Sequence, residues 1–186
     1  MSSKHESITP EITSWIQRQK MFFVATAPES GGHINLSPKG GDSFRVLAPR
    51  EVAYQDFTGS GAETAAHIRE NGRIVVMFCA FGGPPRIVRL HGRGTVVTPA
   101  SRQWPALKAH FPDHIGARSI VAIDVTRISD SCGYGVPTFS QPKERAALQR
   151  WSENKGPEGL CAYRRQKNAR SVDGLPAFGA DDEIHA

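Results

Sequence analysis

Cysteine is scarce in this chain of 186 residues, which carries only Cys79, Cys132 and Cys161. Three scattered thiols cannot make a disulfide framework and lack the paired spacing of a zinc site, so free thiols in a reducing compartment are expected and no metal. Long apolar runs are missing as well. No stretch approaches the roughly 20 residues of a membrane helix, and Met1-Ser-Ser-Lys-His-Glu-Ser7 has none of the apolar centre of a secretory signal. The expectation is a cytoplasmic protein with no membrane partner. There is no internal repeat and no low-complexity tract, which excludes solenoids and disordered scaffolds. The formal charge of +5 is spread thinly. Its one local cluster is Arg164, Arg165, Lys167 and Arg170, and the excess is weak evidence that suits a small anionic ligand, a phosphate above all, about as well as a polyanion such as nucleic acid.

What the chain does have is 39% hydrophobic residues, enough for one good core. Thr9-Pro10-Glu11 before Ile12, Trp15 and Ile16 has the form of a cap, a first-turn proline and an apolar stripe, predicting a helix to about Gln19. Met21 to Ala27 is rich in aromatic and β-branched residues and ends at Pro28 and Gly31-Gly32, so a hairpin should follow, with a second strand from His33. Further strands are predicted over Ser43 to Leu47 and Val52 to Phe57, a helix from about Ala62 to Glu70, and strands over Ile74 to Phe81 and Arg86 to Val97. A helix from about Pro99 to His110 and a strand from Ser119 to Ile128 complete the set. The sum is a mainly β (α+β) chain of six or seven antiparallel strands with a few flanking helices. It divides into an N-terminal helix over 1–20, a barrel domain over 21–130 and a C-terminal extension over 131–186. That extension carries a predicted polar helix from about Lys143 to Glu153. It also carries Leu160, Tyr163, Leu175 and Phe178, which need the barrel or a partner subunit to pack on, and an acidic end, Asp181 to Glu183, expected to be mobile.

The stretch from Asp56 to Gly72 joins a strand end, a Gly/Ser loop and a helix start. Thr58 and Ser60 offer hydroxyls, the glycines let a ligand approach the backbone, and the first turn of a helix presents free N–H groups where its dipole favours an anion. A phosphate cradle and an ordinary turn before a helix are equally good readings of this segment by itself. An arginine inside an apolar strand, Arg45, needs an anionic partner if it points inward.

The order and spacing of several motifs decide between the two readings. Phe23-Val-Ala-Thr-Ala27, Asn35-Leu-Ser-Pro-Lys-Gly40, Phe44-Arg-Val-Leu47, Thr58-Gly-Ser-Gly61 with Glu63-Thr-Ala-Ala66, Glu70-Asn-Gly72 and Arg86-Ile-Val-Arg-Leu-His-Gly92 together resemble the FMN-binding split barrel of the pyridoxamine 5'-phosphate oxidase superfamily. The resemblance covers about Met21 to Val125. It implies a homodimer with FMN at the interface and an oxidoreductase that exchanges hydride between flavin N5 and a small organic substrate. Thr58, Ser60, Gly61 and Thr64 would then contact the phosphate, Ser37, Pro38 and Lys39 would run beside the flavin ring, and Lys39 or Arg45 would supply positive charge. Two departures stand out. Glu63-Thr64 replaces a basic pair of the oxidase, so Glu63 must point away from the phosphate. Ser131-Cys-Gly-Tyr-Gly-Val-Pro137 replaces the Arg-x-His-Asp-Arg segment that holds vitamin B6, leaving Cys132 and Tyr134 as substrate-side candidates. The alternatives are a flavin or haem carrier or sensor without turnover, and a deazaflavin-dependent reductase. Among the histidines, His67 reads as a surface or interface residue and His91 as a packed strand residue. Arg86 and Arg89 read as a solvated strand face.

Overall fold

In the computed structural model, which describes residues 3–140 and 142–182, the element order is β1 (Ser3–His5), α1 (Pro10–Gln17), β2 (Met21–Thr26), β3 (Asn35–Gly40), β4 (Phe44–Ala48), β5 (Glu51–Phe57), α2 (Glu63–Asn71), β6 (Arg73–Cys79), β7 (Ile87–Val97), α3 (Trp104–Lys108), β8 (Ala117–Ser131) and α4 (Ala147–Lys167). Seven strands form one antiparallel sheet in the order β3-β2-β6-β7-β8-β5-β4, and β1 adds to β8. The sheet curls around its core into a split barrel whose edge strands, β3 and β4, do not pair with each other.

Local chemistry accounts for most of these elements. Thr9 caps α1 by accepting a hydrogen bond from the Ile12 amide, Pro10 occupies the first turn, and Ile12, Trp15 and Ile16 point into the core. Phe22, Val24 and Thr26 alternate inward along β2. Helix α2 stops at Gly72, whose φ of 72° is left-handed and whose amide returns to the Ile68 carbonyl. The central cluster is aromatic as well as aliphatic, with Phe22, Phe44, Tyr54 and Phe78 in edge or tilted contact. Gly92 sits where the β7–β8 register shifts, and a Cβ there would run into the backbone carbonyl of Asp124.

Several expectations need correction. Strand β1 was not foreseen, because three polar residues held by backbone pairing to β8 carry no apolar pattern. The helix expected over Pro99 to His110 shrinks to Trp104–Lys108, since Thr98 and Ser101 close a turn ahead of it. The helix expected over Lys143 to Glu153 starts later and runs to Lys167 with a break at Gly156. Leu175 and Phe178, expected to pack on the barrel or on a partner subunit, pack on Ala62 before α2 and on Ala65 and Ala66 within it. Glu183 lies outside the described residues.

Candidate functional site

Asp56 is buried in the barrel near the end of β5, one residue before the loop. Its carboxylate accepts a hydrogen bond from Lys39 Nζ of β3 at 2.7 Å and one from Arg118 Nε of β8 at 2.7 Å. Lys39 therefore bridges the open side of the barrel. Burial alone would raise the Asp56 pKa, but the charges of Arg118 and then Lys39, with a hydrogen bond from each, hold it at about 2. Two cations share one anion here, which leaves one net positive charge beneath the loop. Arg118 continues to Asn168, the C-cap of α4, through Nη1 to Oδ1 at 2.8 Å, and Asn168 Nδ2 donates to the Gly59 carbonyl at 2.8 Å.

The loop between β5 and α2 borders a groove of about 1560 Å³, to which Lys39, Gln55, Phe57, Thr58, Gly59, His114 and Cys132 all contribute. The hydroxyl of Thr58 is fully buried and has no hydrogen-bond partner, and both amide atoms of Gln55 are in the same state. Such groups are costly unless something satisfies them. Helix α2 has no side-chain cap, so its first N–H groups receive no capping side chain. Glu63 is held by the tail without leaving the loop, its Oε1 accepting from the Val172 amide at 3.3 Å. The other oxygen lies against Gly61, where a Cβ would collide with it. Next to the loop, His114 packs at a tilt on Phe57, 4.3 Å between ring centroids. Its Nδ1 accepts from the Gly116 amide at 3.0 Å, which puts the neutral ring's proton on Nε2, and burial holds its pKa down.

The other sequence-derived candidates fall into separate places. Pro38 lines the groove beside Lys39. Ser37 donates to Asn35, whose amide donates to both Thr26 and Thr64, and Thr26 contacts Nδ1 of His67 at 3.0 Å. His67 is thus wholly buried at the inner end of a polar network centred on Asn35, not a surface residue, because α2 turns it onto β2. Ser60 is exposed, and Gly61 half-buried. Arg45 is bound in a bidentate pair by Asp42 at 2.6 and 2.9 Å, donates to the His110 carbonyl and lies over Phe111; it does not line the groove. Tyr134 is 84% exposed and also stands outside the groove. Arg86 is no free strand-face charge, since it pairs with Asp130 and Glu11 across Trp15. Sequence reasoning missed Arg118, Asn168, Gln55 and His114 as site residues. A charged residue in an apolar strand was the one available signal, at Arg118.

An antiparallel split barrel, with a groove at the end of its fifth strand, defines the class of protein. The family model described as pyridoxamine 5'-phosphate oxidase matches residues 8–132. A pyridoxamine 5'-phosphate oxidase family protein, ustO, from Aspergillus flavus is 41% identical over 193 residues, covering 94% of this chain and 77% of that protein. The chain belongs to the pyridoxamine 5'-phosphate oxidase family. Solved structures agree on the fold. A HupZ variant from Group A Streptococcus has a TM-score of 0.50 at 24% identity over 67% of this chain and 99% of that one. A candidate pyridoxamine 5'-phosphate oxidase from Lactobacillus delbrueckii has a TM-score of 0.51 at 16% identity over 67% and 97%.

Proposed function

We propose that this protein is a homodimeric FMN-binding oxidoreductase acting on a small organic substrate. The observation that carries the reading is the buried, unpartnered hydroxyl of Thr58 beside an uncapped helix start, with Lys39 on the same groove. A phosphate-bearing ligand at the Thr58 end of the groove would accept a hydrogen bond from the Thr58 hydroxyl and draw on the charge of Lys39, with the start of α2 just beyond the lining. The residues present fit such a group. Glu63, the one carboxylate at the helix start, is tied to the tail by Val172, and the net positive charge of the Lys39–Asp56–Arg118 set outlasts its internal pairing. Bound FMN would supply hydride exchange at its N5. The chain itself contributes binding, orientation and exclusion of water.

The groove is larger than the few hundred to about 1,000 Å³ usual for one small ligand, so it has room for a cofactor and a substrate together. His114 and Cys132 are among the groups that line the groove. Because Ser131 to Pro137 carries no Arg/His set for a vitamin B6 phosphate, the substrate we infer is a different small molecule.

The outer face of the sheet supports the dimer. Cross-strand registers align Leu36, Ala25, Val75, His91 and Arg127 in one row, and Pro38, Phe23, Met77 and Arg89 in the next. The β3 end of these rows is apolar and open, with Leu36 at 64% exposure and Ile34 at 80%. A second copy would cover it. The test is titration of the purified protein with FMN, followed by reduction with a hydride donor. Saturable one-to-one binding and rapid reduction of the bound flavin are expected. Binding without reduction would leave a carrier, and no binding would defeat the reading.

A further inference from the structure

We propose that Asn168 is a positioning residue through which the C-terminal segment sets the shape of the phosphate loop. The inference rests on the flavin reading above but starts from a different part of the chain. Asn168 is wholly buried at the end of α4. Both halves of its side-chain amide are used: Oδ1 accepts from Arg118, and Nδ2 donates to the carbonyl of Gly59, in the loop itself. Its backbone is fixed with equal care, the amide returning to the Arg164 carbonyl at 2.7 Å and the carbonyl accepting from Phe178 at 3.1 Å.

Fixing the Gly59 carbonyl fixes more than one atom. The peptide bond is planar, so the Gly59–Ser60 unit moves as one body. The orientation of the Ser60 amide, which shares that peptide plane, is set when the carbonyl is held. Without Nδ2, a glycine with its open conformational range would let that unit turn. The tail grips the same loop at its other end, where the Val172 amide holds Glu63. It also reaches the β2–β3 turn, where Asp173 accepts from the amide and the ring of His33 at 2.8 and 2.6 Å. One segment thus holds the loop from two sides and draws Glu63 toward itself.

Asn168→Asp and Asn168→Ala separate positioning from general stability. The aspartate keeps an acceptor for Arg118 and removes the donor to Gly59; the alanine removes both without adding charge. Binding of FMN and of riboflavin, which lacks the phosphate, is measured by fluorescence, and amide hydrogen exchange at residues 59–62 is measured in the ligand-free protein. Both variants are expected to bind FMN about tenfold more weakly, the worth of one hydrogen bond, with riboflavin affinity unchanged and loop exchange faster by about the same factor. An equal loss for FMN and riboflavin, or loop exchange as slow as in the parent, overturns the proposal. If Asn168→Ala does not fold, Asn168→Asp carries both arms. A parent protein that takes up no FMN defeats the flavin reading, and the exchange measurement then decides the loop-positioning claim independently.

Discussion

Replacing Asp56 with asparagine removes the anion shared by Lys39 and Arg118 while keeping the side chain's size. Arg118, whose side chain is 5% exposed, is then left in the interior with the Asn168 oxygen, the face of Phe178 and a weaker amide acceptor, and no anion. Removing one partner of a buried pair costs about 3–5 kcal/mol. The carboxyl's titration points the same way: although burial alone would raise it, its pKa falls from 3.8 to about 2, a net stabilisation of about 2–3 kcal/mol left after the cost of burial. For a chain of this size a loss of about 3 kcal/mol lowers Tm by about 6–12 °C. The pH dependence has a definite sign. Asp56 is more acidic folded than unfolded, so its contribution is complete above about pH 4 and disappears as pH falls through about 2. Thermal unfolding of the parent and Asp56→Asn proteins from pH 7 down to pH 2 should show a wide gap at neutrality that narrows below about pH 4. Equal Tm values at pH 7, or a gap that widens in acid, would refute the shared-anion account.

Thr58→Val keeps the shape and deletes the unpartnered hydroxyl, so the ligand-free protein should be as stable as the parent or slightly more so, while FMN binds about tenfold or more weakly; calorimetry and titration read the two effects separately. Leu36→Asp places a charge in the open apolar row of the outer sheet face and should convert a dimer to monomers in sedimentation velocity without lowering the monomer's helix and strand content. Gly92→Ala forces a Cβ against the Asp124 carbonyl at the β7–β8 register shift and should cost about 2 kcal/mol or more in denaturant unfolding.

Most of the barrel was legible because its signals are local. The alternation of Phe22, Val24 and Thr26, the Thr9–Pro10 helix start and the Asn71–Gly72 stop each depend on neighbours within a few residues. The site was only half legible, for the opposite reason. Lys39 and the Thr58 loop lie in motifs, but what ties them together, Asp56 with Arg118 and Asn168 with Gly59, joins residues 62 and 109 positions apart. No spacing rule reaches that far. Arg45 shows the same limit from the other side: residue type marks it as a charge in an apolar strand, but only the structure shows that its carboxylate is the exposed Asp42, three residues away. His67 was misplaced because only the packing of α2 on β2 decides which face of that short helix is dry.

The central claim is that the groove beside Thr58 holds a phosphorylated flavin. Mass spectrometry of the small molecule released from the purified protein, with its stoichiometry, tests it most directly. The account predicts the mass of FMN at about one per subunit, lost in large part from Thr58→Val. A haem or a deazaflavin in its place, or a colourless protein that stays empty after incubation with FMN, would contradict it.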